Sequence, residues 1–387
     1  MQTKFNVKLH TDLCYGDNSL QSLLESLPGD YKNPVVFFDK NVADNNIYVA
    51  QFISSFSAKY GNSKIEFDEP FEPTYQYLER ERNRFGDGKN KKFDCIIAIG
   101  GGSCIDAAKG FATLATNPKS AKEYRGFPQN LDPSIPIIAV PSTAGTGTEL
   151  AYNAVFIDLD EGKKLGINTE NNYPVLAILD PKVVAGAPKA VIASSGLDAL
   201  VHTLESFVSV KSSEFTRVFS FYAFEYIINH LQNFYNHPDD LYAAGKMQMA
   251  AYYAMVALSN SSAGPSGALS YLIGTKYNVN HGIAGAIFIG KVTRFNHLKG
   301  FDYSPLFPAL QIDSSLYGSK IDKSLKVVEE IEKLISNLGV PDSLTGLNIS
   351  QNDFIELVEF ADTNYKGAFA FNPCEFTVED IQQHLIK

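Results

Sequence analysis

The chain has 387 residues, enough for two domains that each bury a sizeable core. Its net charge of -10 argues against nucleic acid or an anionic membrane surface as a partner. The four cysteines, Cys14, Cys95, Cys104 and Cys374, form no C-x-x-C pair, and no apolar run reaches the roughly eighteen residues of a membrane span, so a reduced, cytoplasmic protein is expected.

In chain order, strand-like apolar runs fall at Asn33 to Asp39, Ser63 to Phe67, Phe93 to Ile99, Pro136 to Val140 and Val175 to Leu179, with helical stretches between them. That alternation predicts a mostly parallel sheet covered on both faces. The first run, Pro34-Val-Val-Phe-Phe-Asp39, ends in a carboxylate that can accept from a ribose hydroxyl, although an aspartate there is also an ordinary turn residue. The charged segment Glu79 to Lys92 reads as a solvated helix end and loop.

The run Phe93 to Ile99 leads straight into Gly100-Gly-Gly-Ser-Cys-Ile-Asp-Ala-Ala-Lys109. Glycines at a strand end allow close backbone approach, and a helix starting there aims free N–H groups at a pyrophosphate. An ordinary glycine turn has the same composition, and the usual G-x-G-x-x-G with a later acid is absent. The loop Ser142-Thr-Ala-Gly-Thr-Gly-Thr-Glu149 offers small hydroxyls suited to phosphates, ribose or nicotinamide, and these residues also fill plain turns.

From about Lys189 the pattern turns helical, through Leu200 to Phe207 and Phe219 to Leu231, and the aromatic stretch Phe215 to Tyr235 reads as helix packing. A boundary is expected near residue 185, giving domains 1–185 and 186–387. Within the helical half, Gly196-Leu-Asp-Ala-Leu-Val-His202 sets Asp198 and His202 on one helix face. A second imidazole stands in Tyr277-Asn-Val-Asn-His281-Gly-Ile-Ala-Gly-Ala286. Two histidines and one aspartate suit a divalent metal, and the same spacing also describes a buried Asp–His pair. Glu205, one turn beyond His202, is a candidate acceptor that would orient its ring. His10, His230, His237, His297 and His384 are not expected to be ligands.

The order of these motifs resembles the iron-containing, or group III, alcohol dehydrogenase family almost end to end, including Asn372-Pro-Cys-Glu-Phe-Thr-Val-Glu-Asp-Ile381 near the C-terminus. The resemblance implies an α/β N-terminal domain that binds a nicotinamide cofactor, an all-helical C-terminal domain that holds a metal, a substrate cleft between them, and a homodimer. It assigns Asp39 to the adenosine ribose; Gly101, Gly102 and Ser103 to the pyrophosphate; Ser142, Thr143 and Thr146 to the nicotinamide half. It places Asn153 and Lys164 along the cofactor, and Asp198, His202 and His281 on the metal.

One departure from the family matters: a further ligating histidine expected fourteen residues before His281 is Gly267, and a second one near the substrate is Tyr271, which becomes the candidate proton donor. The implied metal is zinc or iron. NAD is expected over NADP, because a carboxylate at Asp39 repels a 2′-phosphate. The implied reaction is oxidation of a small-molecule alcohol with hydride transfer to the nicotinamide. Tyr271 and Gly267 favour a polyhydroxylated substrate, and the pattern resembles that of group III relatives acting on the sugar acid 3-deoxy-manno-octulosonate of lipopolysaccharide, which would need Lys276, Arg217 or Arg294 to face its carboxylate. A dehydroquinate-synthase-like lyase and a degenerate cofactor binder are the alternatives.

Overall fold

The computed structural model describes residues 4–61, 63–69, 72–277, 279–341, 349–350, 352–357 and 366–385. The chain divides into two compact units, Leu9–Ala187 and the described residues of Pro188–Lys387 with those of Met1–Lys8.

The first unit runs β1 (Asp12–Tyr15), α1 (Ser19–Glu25), β2 (Pro34–Asp39), α2 (Lys40–Asn45), α3 (Ile47–Tyr60), β3 (Lys64–Phe67), α4 (Tyr75–Glu81), β4 (Cys95–Gly100), α5 (Gly102–Leu114), β5 (Ile137–Pro141), β6 (Asn153–Asp158), β7 (Lys163–Asn168), β8 (Leu176–Leu179) and α6 (Pro181–Val184). Six strands form one sheet in the order β1-β8-β5-β4-β2-β3, with every pair parallel. Strands buried on both faces carry unbroken apolar runs, which is why β2, β4 and β5 were legible. Their side chains alternate: Val35, Phe37, Ile96, Ala98, Ile137 and Ala139 pack with α4 and α5, while Val36, Phe38, Ile97, Ile99, Ile138 and Val140 pack with α1 and α3.

Two features departed from the expected strands. β1 lies at the sheet edge with mostly exposed side chains, so it has no apolar signature. β6 and β7 form a separate antiparallel hairpin, Asn153 pairing with Asn168 through to Asp158 with Lys163.

The sheet order puts β3 on one side of β2 and β4 on the other, so the chain reverses direction across the sheet between β2 and β4. Open α/β sheets bind ligands beyond the carboxyl ends of the strands at such a point. Those ends carry Asp39 and Gly100.

The second unit is helical: α7 (Lys189–Val208), α8 (Glu214–Asn236), α9 (Leu241–Ser259), α10 (Pro265–Tyr277), α11 (His281–Leu298) and α12 (Lys320–Asn337). α7 is its centre, packed against α8, α9, α10 and α11 and buried along most of its length. Among the described residues, no helix is long and apolar enough to cross a membrane.

Candidate cofactor cradle and metal centre

The α/β unit presents two loops that press on one another at the switch point. A Cβ on Gly100 would meet Cys104 Cβ at 2.5 Å and Asp39 Cβ at 3.1 Å, and one on Gly102 would meet Thr146 Cγ2 at 2.9 Å. Gly101 has only Thr143 Cγ2 nearby, at 3.4 Å. Ser142 N donates to Gly100 O at 2.9 Å and locks the loops together. Gly101, Gly102, Ser103, Thr143 and Thr146 are partly exposed, whereas Cys104, Ile105 and Ala144 beside them are buried. Gly101 caps α5 with no side-chain bond, so the helix opens with N–H groups that no cap consumes. A cradle of glycines before an uncapped 13-residue helix fits a pyrophosphate.

Asp39 has a structural duty as well, since Oδ1 accepts from Asn41 N at 2.9 Å and caps α2. Burial pushes its carboxyl above the usual range, and the N–H groups of Asn41 and Val42 oppose that.

Lys109, at the end of the glycine motif, is fully buried. Its Nζ donates to Thr148 O (2.7 Å), Thr148 Oγ1 (2.7 Å), Ala151 O (2.9 Å) and Asn153 O (3.0 Å), stapling the second loop onto α5. Asp106 completes the staple, accepting from Thr148 Oγ1 and from Val155 N. Burial drives Lys109 down, and Asp106 and Glu149 counter it. Glu149 is buried with Oε2 unpartnered, and burial pushes its carboxyl up to about 7. The D-x-x-K spacing was visible in the sequence, but its acceptors lie about forty residues downstream. Lys164, on β7, pairs with Glu72 at 2.6 Å.

In the helical unit, Asp198 Oδ1 lies 3.6 Å from His202 Nε2 and 3.8 Å from His281 Nε2. α7 supplies the first two at i, i+4, and His281 is the first residue of α11, whose N-cap Asn280 accepts from Gly282 N at 3.0 Å. Gly282 makes the approach possible. A Cβ there would sit 1.8 Å from Ser194 O, so only glycine lets the start of α11 lie on the backbone of α7. Tyr271, on α10, has its ring 4.7 Å from that of His281.

Two donors each about 2.1 Å from one tetrahedral metal stand about 3.4 Å apart, so the pairs at Asp198 are a few tenths of an ångström too wide. Correspondingly, no three His, Cys, Asp or Glu side chains among the described residues form a ready-made coordination set. The pair distances decide the question, because small side-chain rotations close such gaps. His202 turns Nε2 toward Asp198, while its Nδ1 is buried with no hydrogen-bond partner among the described residues. Two imidazoles and a carboxylate on buried helix faces fit a divalent metal with open positions.

Glu205 does not orient His202. Its carboxylate accepts from Gly264 N at 2.7 Å and Gly267 N at 3.0 Å, so it holds the first turn of α10 while the His202 nitrogen stays unpartnered. Burial pushes its carboxyl up, and the two N–H groups oppose that. A Cβ on Gly267 would meet Glu205 Oε2 at 3.1 Å, so that position faces the clamp.

The profile of "Iron-containing alcohol dehydrogenase" matches residues 10–181, and that of "Fe-containing alcohol dehydrogenase family, C-terminal" matches residues 192–387. Lactaldehyde reductase of Escherichia coli (strain K12) is 30% identical over 298 residues, 76% of each chain. NAD-dependent methanol dehydrogenase of Bacillus methanolicus is 28% identical over 300 residues, 76% of this chain and 77% of the relative. Among solved structures, an alcohol dehydrogenase from Oenococcus oeni superposes with a TM-score of 0.86 at 25% identity, covering 99% of both chains.

Proposed function

Since the chain belongs to the iron-containing alcohol dehydrogenase family, we propose that it oxidises a primary alcohol to an aldehyde by hydride transfer to NAD, at a divalent metal held by Asp198, His202 and His281. It is an alcohol oxidoreductase, which sets aside the lyase and the non-enzymatic binder. The single observation that carries the site reading is Asp198 Oδ1 flanked by the Nε2 atoms of His202 and His281.

When bound, an iron or zinc ion supplies Lewis acidity to the substrate hydroxyl, and NAD supplies the hydride acceptor. The chain's part is positioning. Asp198, His202 and His281 hold the metal from two buried helices. Gly101, Gly102 and Ser103 take the pyrophosphate at the start of α5; Ser142, Thr143 and Thr146 close over the nicotinamide half, with Asn153 and Lys164 alongside. Asp39, at the end of β2, accepts from the adenosine ribose. Tyr271 stands beside His281 with a hydroxyl that can hold or pass the alcohol's proton.

The substrate is proposed to be a sugar acid, with 3-deoxy-manno-octulosonate as its type. A phenol in the position of Tyr271 suits a polyhydroxylated chain better than an alkanol. Of the candidate cations, Arg294 is engaged by both oxygens of Glu332 and Lys276 faces Glu356 at 3.5 Å. Arg217 is half-buried, stacked on Phe207 and bonded through Nε to Ser212 Oγ at 3.3 Å. Family resemblance extends the proposal to a homodimer, which sedimentation velocity checks.

Assay of metal-loaded protein with NAD against sugar acids, polyols and simple alkanols tests the proposal. NADH formation with sugar acids supports it. Turnover of ethanol or propanediol with none of sugar acids overturns the substrate and leaves the alcohol oxidoreductase.

A further inference from the structure

The residue before α10 is Gly264, which has no side chain to cap the helix. The first N–H groups of a helix find no partner within it, so they must be met from elsewhere. Glu205 meets them from α7. Its carboxylate, buried at 2% exposure, accepts from Gly264 N at 2.7 Å and from Gly267 N at 3.0 Å, and a negative charge there also complements the helix dipole. Both glycines serve this approach. A Cβ on Gly264 would stand 3.0 Å from Glu205 Oε1 and one on Gly267 3.1 Å from Oε2, so the carboxylate lies in a slot that side chains would narrow.

Asp198, His202 and Glu205 are spaced by four and three, which puts them on one face of α7. Gly264, Gly267 and Tyr271 are spaced by three and four along α10, so the clamp and Tyr271 share a face as well. One carboxylate thus ties the face that carries Asp198 and His202 to the face that carries Tyr271. Tyr271 stands one turn beyond the clamp, with its ring 4.7 Å from that of His281. Elsewhere α10 rests chiefly on α11.

We propose that Glu205 is a positioning residue for the reaction: it fixes the first turn of α10 on α7 and so holds Tyr271 over the metal centre. The proposal rests on the reading of Asp198, His202 and His281 as the ligand set. Those ligands stand on α7 and α11, so releasing the start of α10 should move Tyr271 and leave metal affinity nearly unchanged.

The chain contains no tryptophan, so Tyr271→Trp gives a single indole at the position in question. Titration of this metal-stripped, full-length protein with Co(II) reads the dissociation constant from the visible absorption of the ion. It also reads quenching of the indole by the bound ion, which falls steeply with distance. Adding Glu205→Gln replaces one carboxylate oxygen by an amide NH2 that cannot accept, so one N–H of the clamp loses its partner. The expected result is loss of most of the quenching and a red shift of the indole emission, at a dissociation constant close to the parent's. Unchanged quenching and emission, with a lower melting temperature, would make Glu205 a stabiliser of α10 alone and overturn the proposal. An indole that bound Co(II) does not quench in the parent overturns it too, because residue 271 then stands away from the metal. Co(II) binding that His281→Ala leaves intact overturns the ligand set, and the proposal with it. Where Glu205→Gln does not fold, Glu205→Asp, one methylene shorter, is measured in the same way with the same outcomes.

Discussion

The cofactor cradle and the metal centre are built from different materials. The cradle is backbone: three glycines, an uncapped helix start and a second loop stapled from below by Lys109. Its parts are short loops at the ends of neighbouring strands, and it tolerates small changes wherever a Cβ has room. The metal centre is side chains, and its parts come from residues some eighty positions apart that meet only because α11 lies directly on α7 at Gly282. A backbone site survives if its loops keep their shape, whereas a side-chain site survives only if two helices keep their spacing.

Two glycine substitutions should separate these cases most sharply. Gly282→Ala places a methyl 1.8 Å from Ser194 O, a contact with backbone that cannot rotate away. The helices must part, costing about 3 kcal/mol or more by the measure of overpacked cores, with most metal affinity lost. Gly101→Ala meets only Thr143 Cγ2 at 3.4 Å and should fold normally, yet bind NAD more weakly because the new methyl stands where a pyrophosphate approaches. Thermal denaturation with metal and NAD titrations checks both. Equal effects of the two changes on stability would erase the contrast.

A second prediction sharpens the view of the cradle's underside. The carboxyl of Glu149 is held near 7 in the folded protein, above its ordinary 4.5. A raised acid favours its neutral form in the fold, so its contribution is full below pH 4.5 and is lost as pH rises through about 7. The loss is on the order of 3 kcal/mol for a group buried this deeply. Glu149→Gln, which cannot ionise, should therefore lose less stability than the wild type between pH 5 and 8. Parallel melting curves for the two proteins across that range would count against the assignment.

How legible each region was follows from the same difference. β2, β4 and β5 announced themselves because both faces are buried, while β1 escaped because an exposed edge strand needs no apolar run. In the hairpin, β6 alternates half-buried and buried residues and β7 is mostly exposed or half-buried, and both are laced with Asn, Asp or Lys, so polarity masks their period. In the metal centre, Asp198 and His202 were readable from helical spacing alone. Glu205, by spacing a candidate acceptor for His202, instead accepts from the N–H groups of Gly264 and Gly267, which lie 59 and 62 residues away and have no side chain to betray them.

The smallest expected effect tests the carboxylate at the end of β2. Asp39→Gly removes a cap whose replacement by glycine costs only a few tenths of a kcal/mol. Its effect on cofactor choice should be larger, with the preference for NAD over NADP shrinking because the repulsion of a 2′-phosphate is gone. Unchanged relative affinities would show that Asp39 serves α2 alone.

The central claim is that Asp198 joins two imidazoles into one metal site, and the metal content of purified Asp198→Ala beside the wild type tests it most directly. The wild type should carry about one divalent ion per chain and the variant almost none, because a third of the ligand set has gone. Full metal content in Asp198→Ala, with the protein folded, would contradict the account.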